Sequence, residues 1–120
     1  MNEDFLHYLW KHRQFNLSDL KTEEDDDLEI IHPGHHNENA GPDFLDARVR
    51  IDGTLWAGNV EIHLASSDWY KHGHQNDPAY DNVILHVVFN QDKAVEAPKG
   101  SIIPALTLKD RIDYQSYRKY

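Results

Sequence analysis

The chain has no cysteine at all. That excludes disulfides and thiolate metal sites, and it fits a cytoplasmic protein. No stretch approaches the roughly 20 apolar residues that a membrane-spanning helix needs. The opening Met1-Asn2-Glu3-Asp4 is acidic, with neither the basic start nor the apolar centre of a signal peptide. Positive charge is also scarce: 12 Lys and Arg stand against 21 Asp and Glu, for a net charge of -9. Such a surface does not attract nucleic acid in general. Part of the excess sits in one run, Glu23-Glu24-Asp25-Asp26-Asp27, which reads as a solvated loop. The 120 residues suffice for a single domain with one core.

What the chain has in excess is histidine: nine residues, seven of them between His32 and His86. They form no tag-like run. Imidazole is both a metal ligand and the side chain that exchanges protons near neutral pH. The distribution therefore directs attention to the middle of the chain.

Local patterns predict an α+β architecture: a mixed central sheet with a β-hairpin at 44–64, flanked by an N-terminal and a C-terminal helix. Phe5, Leu6, Leu9 and Trp10 recur at helical spacing over residues 3–12, with Glu3 and Asp4 at the positive end. Asn16-Leu17-Ser18-Asp19 reads as a further capped turn. Leu28-Glu29-Ile30-Ile31 predicts a short strand that ends at His32-Pro33-Gly34. A polar loop from His35 to Asp43 follows. Phe44 to Ile51 alternates, placing Leu45, Ala47, Val49 and Ile51 on one face. Asp52-Gly53 is a strong two-residue hairpin signal, because both positions tolerate positive φ. The return strand, Thr54 to Leu64, puts Trp56, Val60, Ile62 and Leu64 on one face and Asn59, Glu61 and His63 on the other, which makes Asn59 a further candidate site residue.

Asn82 to Asn90 contains the most apolar run and predicts a central strand buried on both faces. Within it, His86 is expected to be a hydrogen-bonded core histidine. Val95 and Ile102-Ile103 suggest short strands, and a C-terminal helix is expected to begin near Lys109. The closing Tyr114 to Tyr120 carries no capping glycine, which suggests that the chain is the N-terminal part of a longer protein. Trp10, Trp56 and Trp69 are expected in the core or an interface.

Two constellations carry chemistry. In the first, Gly41-Pro42-Asp43 leads into the hairpin and Glu61-Ile62-His63 lies on its return strand. Two carboxylates on neighbouring strands are what a Mg²⁺- or Mn²⁺-dependent phosphodiesterase requires, with a third polar group to position or deprotonate water. Alternation places Glu61 and His63 on one face, about 7 Å apart. Asp43 and Glu61 are the candidate metal ligands, with His74 as a third, and Asp43, Glu61 and His63 are the candidate catalytic residues. The register raises a conflict. With a two-residue turn, Asp43 faces Ile62 and points to the opposite side. A bulge at Gly58, or a bend after Pro42, is needed to bring it round. In the second constellation, His72-Gly73-His74 with Asp77, joined by His35 and His36, offers nitrogen ligands for Zn²⁺ or Mn²⁺.

Four segments in order are similar to domain-of-unknown-function family 2851, a largely bacterial family. They are Asn39-Ala40-Gly41-Pro42-Asp43-Phe44, Trp56-Ala57-Gly58-Asn59-Val60-Glu61-Ile62-His63, Ser67-Asp68-Trp69-Tyr70-Lys71-His72-Gly73-His74, and Tyr80 through Val88. The opening Phe5-Leu6-His7-Tyr8-Leu9-Trp10 is similar as well. The resemblance implies no activity, and implies longer relatives. Pro42-Asp43 and Glu61-Ile62-His63 also resemble the frame of the PD-(D/E)XK nuclease superfamily, with His63 where that frame has lysine. This second resemblance implies a restriction-endonuclease-like fold, Asp43 and Glu61 as metal ligands, and nucleic acid as partner.

Three functions remain open on the sequence: a metal-dependent nuclease-like hydrolase, active or degenerate; a non-catalytic ligand- or partner-binding module; and a fold stabilised by a structural metal. The second expects Asp43 and Glu61 to diverge and Trp10 or Trp69 to be exposed.

Overall fold

A computed structural model describes residues 1–119. Helix α1, Glu3–His12, forms where the apolar spacing predicts it. The Asn2 side chain accepts a hydrogen bond from Phe5 N–H at 2.9 Å, satisfying one of the helix's orphan donors. Arg13, in the left-handed region at φ 53°, closes its C-terminus. Phe5, Leu6, Leu9 and Trp10 are buried, and the Trp10 indole donates to the Pro33 carbonyl at 2.9 Å. Placing the aromatic body in the core while pairing its N–H removes the cost of burying a polar atom.

Strands β1 (Leu28–His32), β2 (His35–His36), β3 (Phe44–Ile51), β4 (Thr54–Ala65), β5 (Val83–Asn90) and β6 (Ala105–Thr107) form one mixed sheet. The order is β1-β3-β4-β5-β6, with β2 also paired to β3. The β1-β3 and β3-β4 pairs are antiparallel, whereas β4-β5 and β5-β6 are parallel. The apolar run of β5 is central and covered on both faces, Leu85 and Val87 in one core cluster and Val83 in another, which is why it lacks alternation. The β3-β4 hairpin turns at Asp52 and Gly53, both at positive φ (50° and 83°), as two-residue turns of this kind require.

One face of the sheet packs on α1 through Phe44, Ala47, Val49, Val60, Ile62, Leu85 and Val87. The other face is covered by a second cluster around Trp69, Tyr80, Val83, Val95, Ala97 and Ile103. That covering segment contains the short helix α2 (Asp68–Lys71) and two single 3₁₀ turns, His74–Asn76 and Pro78–Tyr80.

Four local expectations change. His35 and His36 pair with Leu45 and Phe44 instead of looping freely. The C-terminal helix α3 spans Tyr114–Lys119 and starts after Lys109, because Arg111 N–H closes a turn on the Leu108 carbonyl and Asp113 then caps the helix through Gln115 N–H. Around Val95 and Ile102-Ile103 only an isolated Glu96–Ile102 bridge forms. Trp56 shares the parity of Val60 but is half-exposed, since β5 begins only opposite Asn59 and leaves the hairpin tip uncovered.

The register conflict is resolved by a distortion in β3. Ala47 pairs with Gly58, yet Phe44 pairs with Val60, so three residues of β3 span two of β4. The extra residue falls at Leu45–Asp46, where Asp46 has φ 60°. The Asn59 amide oxygen accepts from Asp46 N–H at 3.3 Å. The bulge therefore sits on the strand facing Gly58 and not at Gly58 itself. It turns Phe44, in place of Leu45, into the α1-facing core. Asp43, the preceding residue, then turns to the Glu61 side.

Gly58 has a different task. A Cβ there would lie 2.5 Å from Ile84 Cγ2 and 2.6 Å from the Asn82 carbonyl oxygen. Glycine permits the close approach of β5.

A second shift follows at once. Asn59 pairs with Val83 but Val60 with Leu85, leaving Ile84 as the extra residue of β5. Without it, Leu85 would lie beside Glu61. With it, Glu61 pairs with His86. Two bulges on the strands flanking β4 thus turn one carboxylate and one imidazole toward the same face.

Candidate functional site

The two acidic residues are tied together through the backbone. Asp43 N–H donates to Glu61 Oε1 at 3.1 Å, and Ile62 N–H donates to Asp43 Oδ2 at 2.9 Å. These reciprocal bonds fix both carboxyl groups at the place where β3 begins and β4 approaches its end. Glu61 Oε2 faces His74 Nε2 at 2.7 Å and His63 Nε2 at 3.4 Å. His63 Nε2 lies 3.2 Å from His72 Nδ1, while His63 Nδ1 is hydrogen-bonded to His86 Nε2 at 2.7 Å. One nitrogen from each of His63, His72 and His74 falls within 4.8 Å of the others.

The rings are held by packing. His74 stacks on Tyr80 with centroids 3.8 Å apart and planes 17° from parallel, and the edge of Trp69 meets it from another side. Trp69 is itself fully buried, its indole donating to the Glu96 carbonyl at 3.1 Å. His63 and His86 are almost wholly enclosed, whereas His72, at the C-terminus of α2, is exposed. The cluster thus runs from solvent at His72 to the interior at His86.

Burial dominates its electrostatics. It pushes the Glu61 carboxyl up to about 10, with the neighbouring Asp43 adding to the effect. For Asp43 burial pulls upward too, but bonds with His7, Glu61 and the Ile62 N–H outweigh it and hold the pKa below the usual range. The pair therefore divides its labour, one group protonated and the other ionised, as like charges in contact must. Burial drives His63 and His86 down to about 3, assisted by the neighbouring imidazoles, and lowers His74 in the same way. These rings are neutral near pH 7 and present lone pairs.

A family model described as "Protein of unknown function (DUF2851)" matches residues 3–120. The chain belongs to the DUF2851 family. No curated protein and no solved structure matches it.

In this DUF2851 chain the fold gathers Asp43, Glu61, His63, His72 and His74. It leaves other candidates outside. His35 sits with Asp46 and Arg48 along a separate groove, and His36 stacks on Phe44. Asp77 caps the turn at Pro78–Tyr80 by accepting from Ala79 N–H at 2.9 Å. Asn59 holds the β3 bulge, so its contribution is to the register.

Three side chains join that sequence reasoning did not place there. His86 is the core histidine expected, fully buried, but its partner is His63. Its lone titratable side chain amid six apolar neighbours was the available signal. His7 and Glu3, four residues apart on α1, converge on Asp43, with His7 Nε2 3.6 Å from Asp43 Oδ2. Helical i,i+4 spacing puts Glu3 and His7 on one face, but nothing local connects that face to Asp43. Burial, with Asp43 adding to it, raises the Glu3 pKa; for His7 burial pulls downward, but Asp43 outweighs it and the pKa is raised.

Proposed function

We propose that this site is the centre of a divalent-metal-dependent phosphodiesterase, of the kind implied by the PD-(D/E)XK frame. The observation that carries the reading is the pairing of Asp43 with Glu61 across the bulged hairpin. A local distortion that costs backbone strain at Asp46 serves to bring two acids together in a buried place. Two such groups side by side are costly without a cation or a proton between them.

The donor set fits a divalent ion. Asp43 and Glu61 would supply oxygen and His74 a neutral nitrogen; such an ion would stabilise charge on a phosphoryl oxygen and lower the pKa of water. His63 stands where the frame has lysine. Its imidazole, 3.4 Å from Glu61 Oε2, is placed to orient water by hydrogen bonding. His72 lies at the mouth, where an anionic substrate would approach. A phosphodiester of nucleic acid is the substrate class proposed. With a surface of net charge -9, binding would depend on the site's own cation and not on a general basic patch.

The convergence of Asp43 and Glu61, together with the burial of Trp10 and Trp69, weighs against the binding-module reading. The test is hydrolysis of bis-p-nitrophenyl phosphate and of single- and double-stranded DNA and RNA with Mn²⁺, Mg²⁺ or Zn²⁺. Wild type should act, and Asp43→Asn and Glu61→Gln should each lose at least about 100-fold. Absence of hydrolysis under every condition, or equal rates in Asp43→Asn, would overturn the proposal.

A further inference from the structure

We infer that His63, His72 and His74, with Glu61 as fourth donor, form a seat for a nitrogen-preferring ion of the Zn²⁺ class, and not for Mg²⁺. The inference deepens the reading above by naming its cation, and it rests on that reading only for the chemistry the ion serves. It keeps Glu61 and His74 as donors and brings His63 and His72 to the ion in place of Asp43.

The geometry is already close to a coordination shell. Ligands bound tetrahedrally at about 2.0–2.1 Å stand roughly 3.3–3.4 Å from one another. His63 Nε2 to His72 Nδ1 is 3.2 Å, and His63 Nε2 to Glu61 Oε2 is 3.4 Å. A third edge, His74 Nε2 to Glu61 Oε2, is 2.7 Å and would open by roughly 0.6 Å around an ion. All three imidazole nitrogens lie within 4.8 Å of one another. Three imidazoles and one carboxylate suit Zn²⁺, whereas Mg²⁺ demands a near-octahedral oxygen shell.

Two further features belong to a metal site. The ring of a ligating histidine is commonly oriented by a bond from its second nitrogen. Here His63 Nδ1 meets His86 Nε2 at 2.7 Å in a fully buried position, and His74 is clamped against Tyr80. His72 is exposed, which provides an entry path for the ion.

The assignment also accounts for the histidine in the lysine position. It moves His63 from beside the water to the ion itself. A protonated lysine cannot ligate, whereas the neutral imidazole of His63 offers the ion a lone pair.

The test is binding of Zn²⁺, Mn²⁺ and Mg²⁺ to the chelator-treated protein by calorimetry, with Co²⁺ absorption as a reporter of geometry. Expected are the order Zn²⁺ above Mn²⁺ above Mg²⁺, and an intense Co²⁺ band of the tetrahedral kind. His72→Ala, at an exposed position where folding is not at stake, should weaken Zn²⁺ at least about 10-fold. His86→Asn, which removes the ring behind His63 without touching the ion, should weaken it by a similar factor. Equal affinity for Zn²⁺ and Mg²⁺, a weak octahedral Co²⁺ spectrum, or unchanged Zn²⁺ binding in a His72→Ala/His74→Ala double variant would overturn the inference. Tight Zn²⁺ binding without phosphodiester hydrolysis retains the seat and removes the proposed reaction. Mn²⁺-dependent hydrolysis indifferent to His72 and His74 does the reverse.

Discussion

In the metal-free protein, Glu61 should make folding stability fall as pH rises above neutrality, and Glu61→Gln should remove most of that fall. Burial and the adjacent Asp43 raise the Glu61 pKa from 4.5 to about 10. A carboxyl whose pKa is raised on folding binds its proton more tightly in the native state. Its contribution is complete below the unfolded pKa near 4.5 and is lost progressively as pH climbs toward 10. Each pH unit within that window removes up to about 1.4 kcal/mol. Between about pH 6 and pH 9 the ceiling is roughly 4 kcal/mol, which sharing of the proton with Asp43 reduces. Glutamine imitates the protonated acid: its oxygen can accept from Asp43 N–H, and its amide can donate to His74 Nε2. His63 and His86 act on the other side of neutrality. Their depressed pKa values give stability that is present above about 6.5 and is lost as pH falls toward 3. Both proteins should therefore lose stability in acid; in alkali both lose the contribution of His7, whose pKa is also raised, but wild type should lose markedly more. Urea denaturation at several pH values with a chelator present reads the difference directly. Parallel profiles for the two proteins from pH 6 to 9 would refute the buried, protonated Glu61.

Other substitutions probe how the site is built. Gly58→Ala should cost about 1–3 kcal/mol by denaturant titration, because the new methyl meets the Asn82 carbonyl and Ile84; an unchanged midpoint would show that β5 can retreat. At the bulge, Asp46→Gly should be neutral or stabilising by up to about 1 kcal/mol, since φ 60° suits glycine. Asp46→Val should be destabilising and should also weaken cation binding, by letting β3 slip and turning Asp43 away; retained affinity would separate Asp43 from the cation. Asn2→Ala removes the bond to Phe5 N–H and should lower stability by about 0.5–2 kcal/mol with no effect on cation affinity, measured by thermal melting and calorimetry.

Much of the scaffold was legible because its signals are local. Helix α1 follows from the spacing of Phe5, Leu6, Leu9 and Trp10 and the Asn2 cap. The β3-β4 turn follows from Asp52-Gly53, and β5 from its apolar run. The pairing of Glu61 with His63 on one strand face needed only the two-residue period of a strand. The C-terminal helix begins later than Lys109 because residues 108–111 close a turn, Arg111 N–H on the Leu108 carbonyl, and the helix starts only after Asp113, whose Oδ1 accepts from Gln115 N–H.

The hairpin and its acidic and imidazole groups were thus determined by sequence alone, as was the membership of Asp43, Glu61 and His63 in one neighbourhood. Whether Asp43 pointed toward Glu61 or away from it was decided only in three dimensions. A strand's side-chain period is two, so a single extra residue reverses every position beyond it. Asp is among the residues that enter the left-handed region more readily than most, but Asp46 does so here where Asn59 accepts from its N–H and Phe44 finds the core. The same physics at Ile84 turned His86 toward His63. His7 reached Asp43 only because α1 packs on the sheet. The residue types were written locally, and the choice of face belonged to the packing.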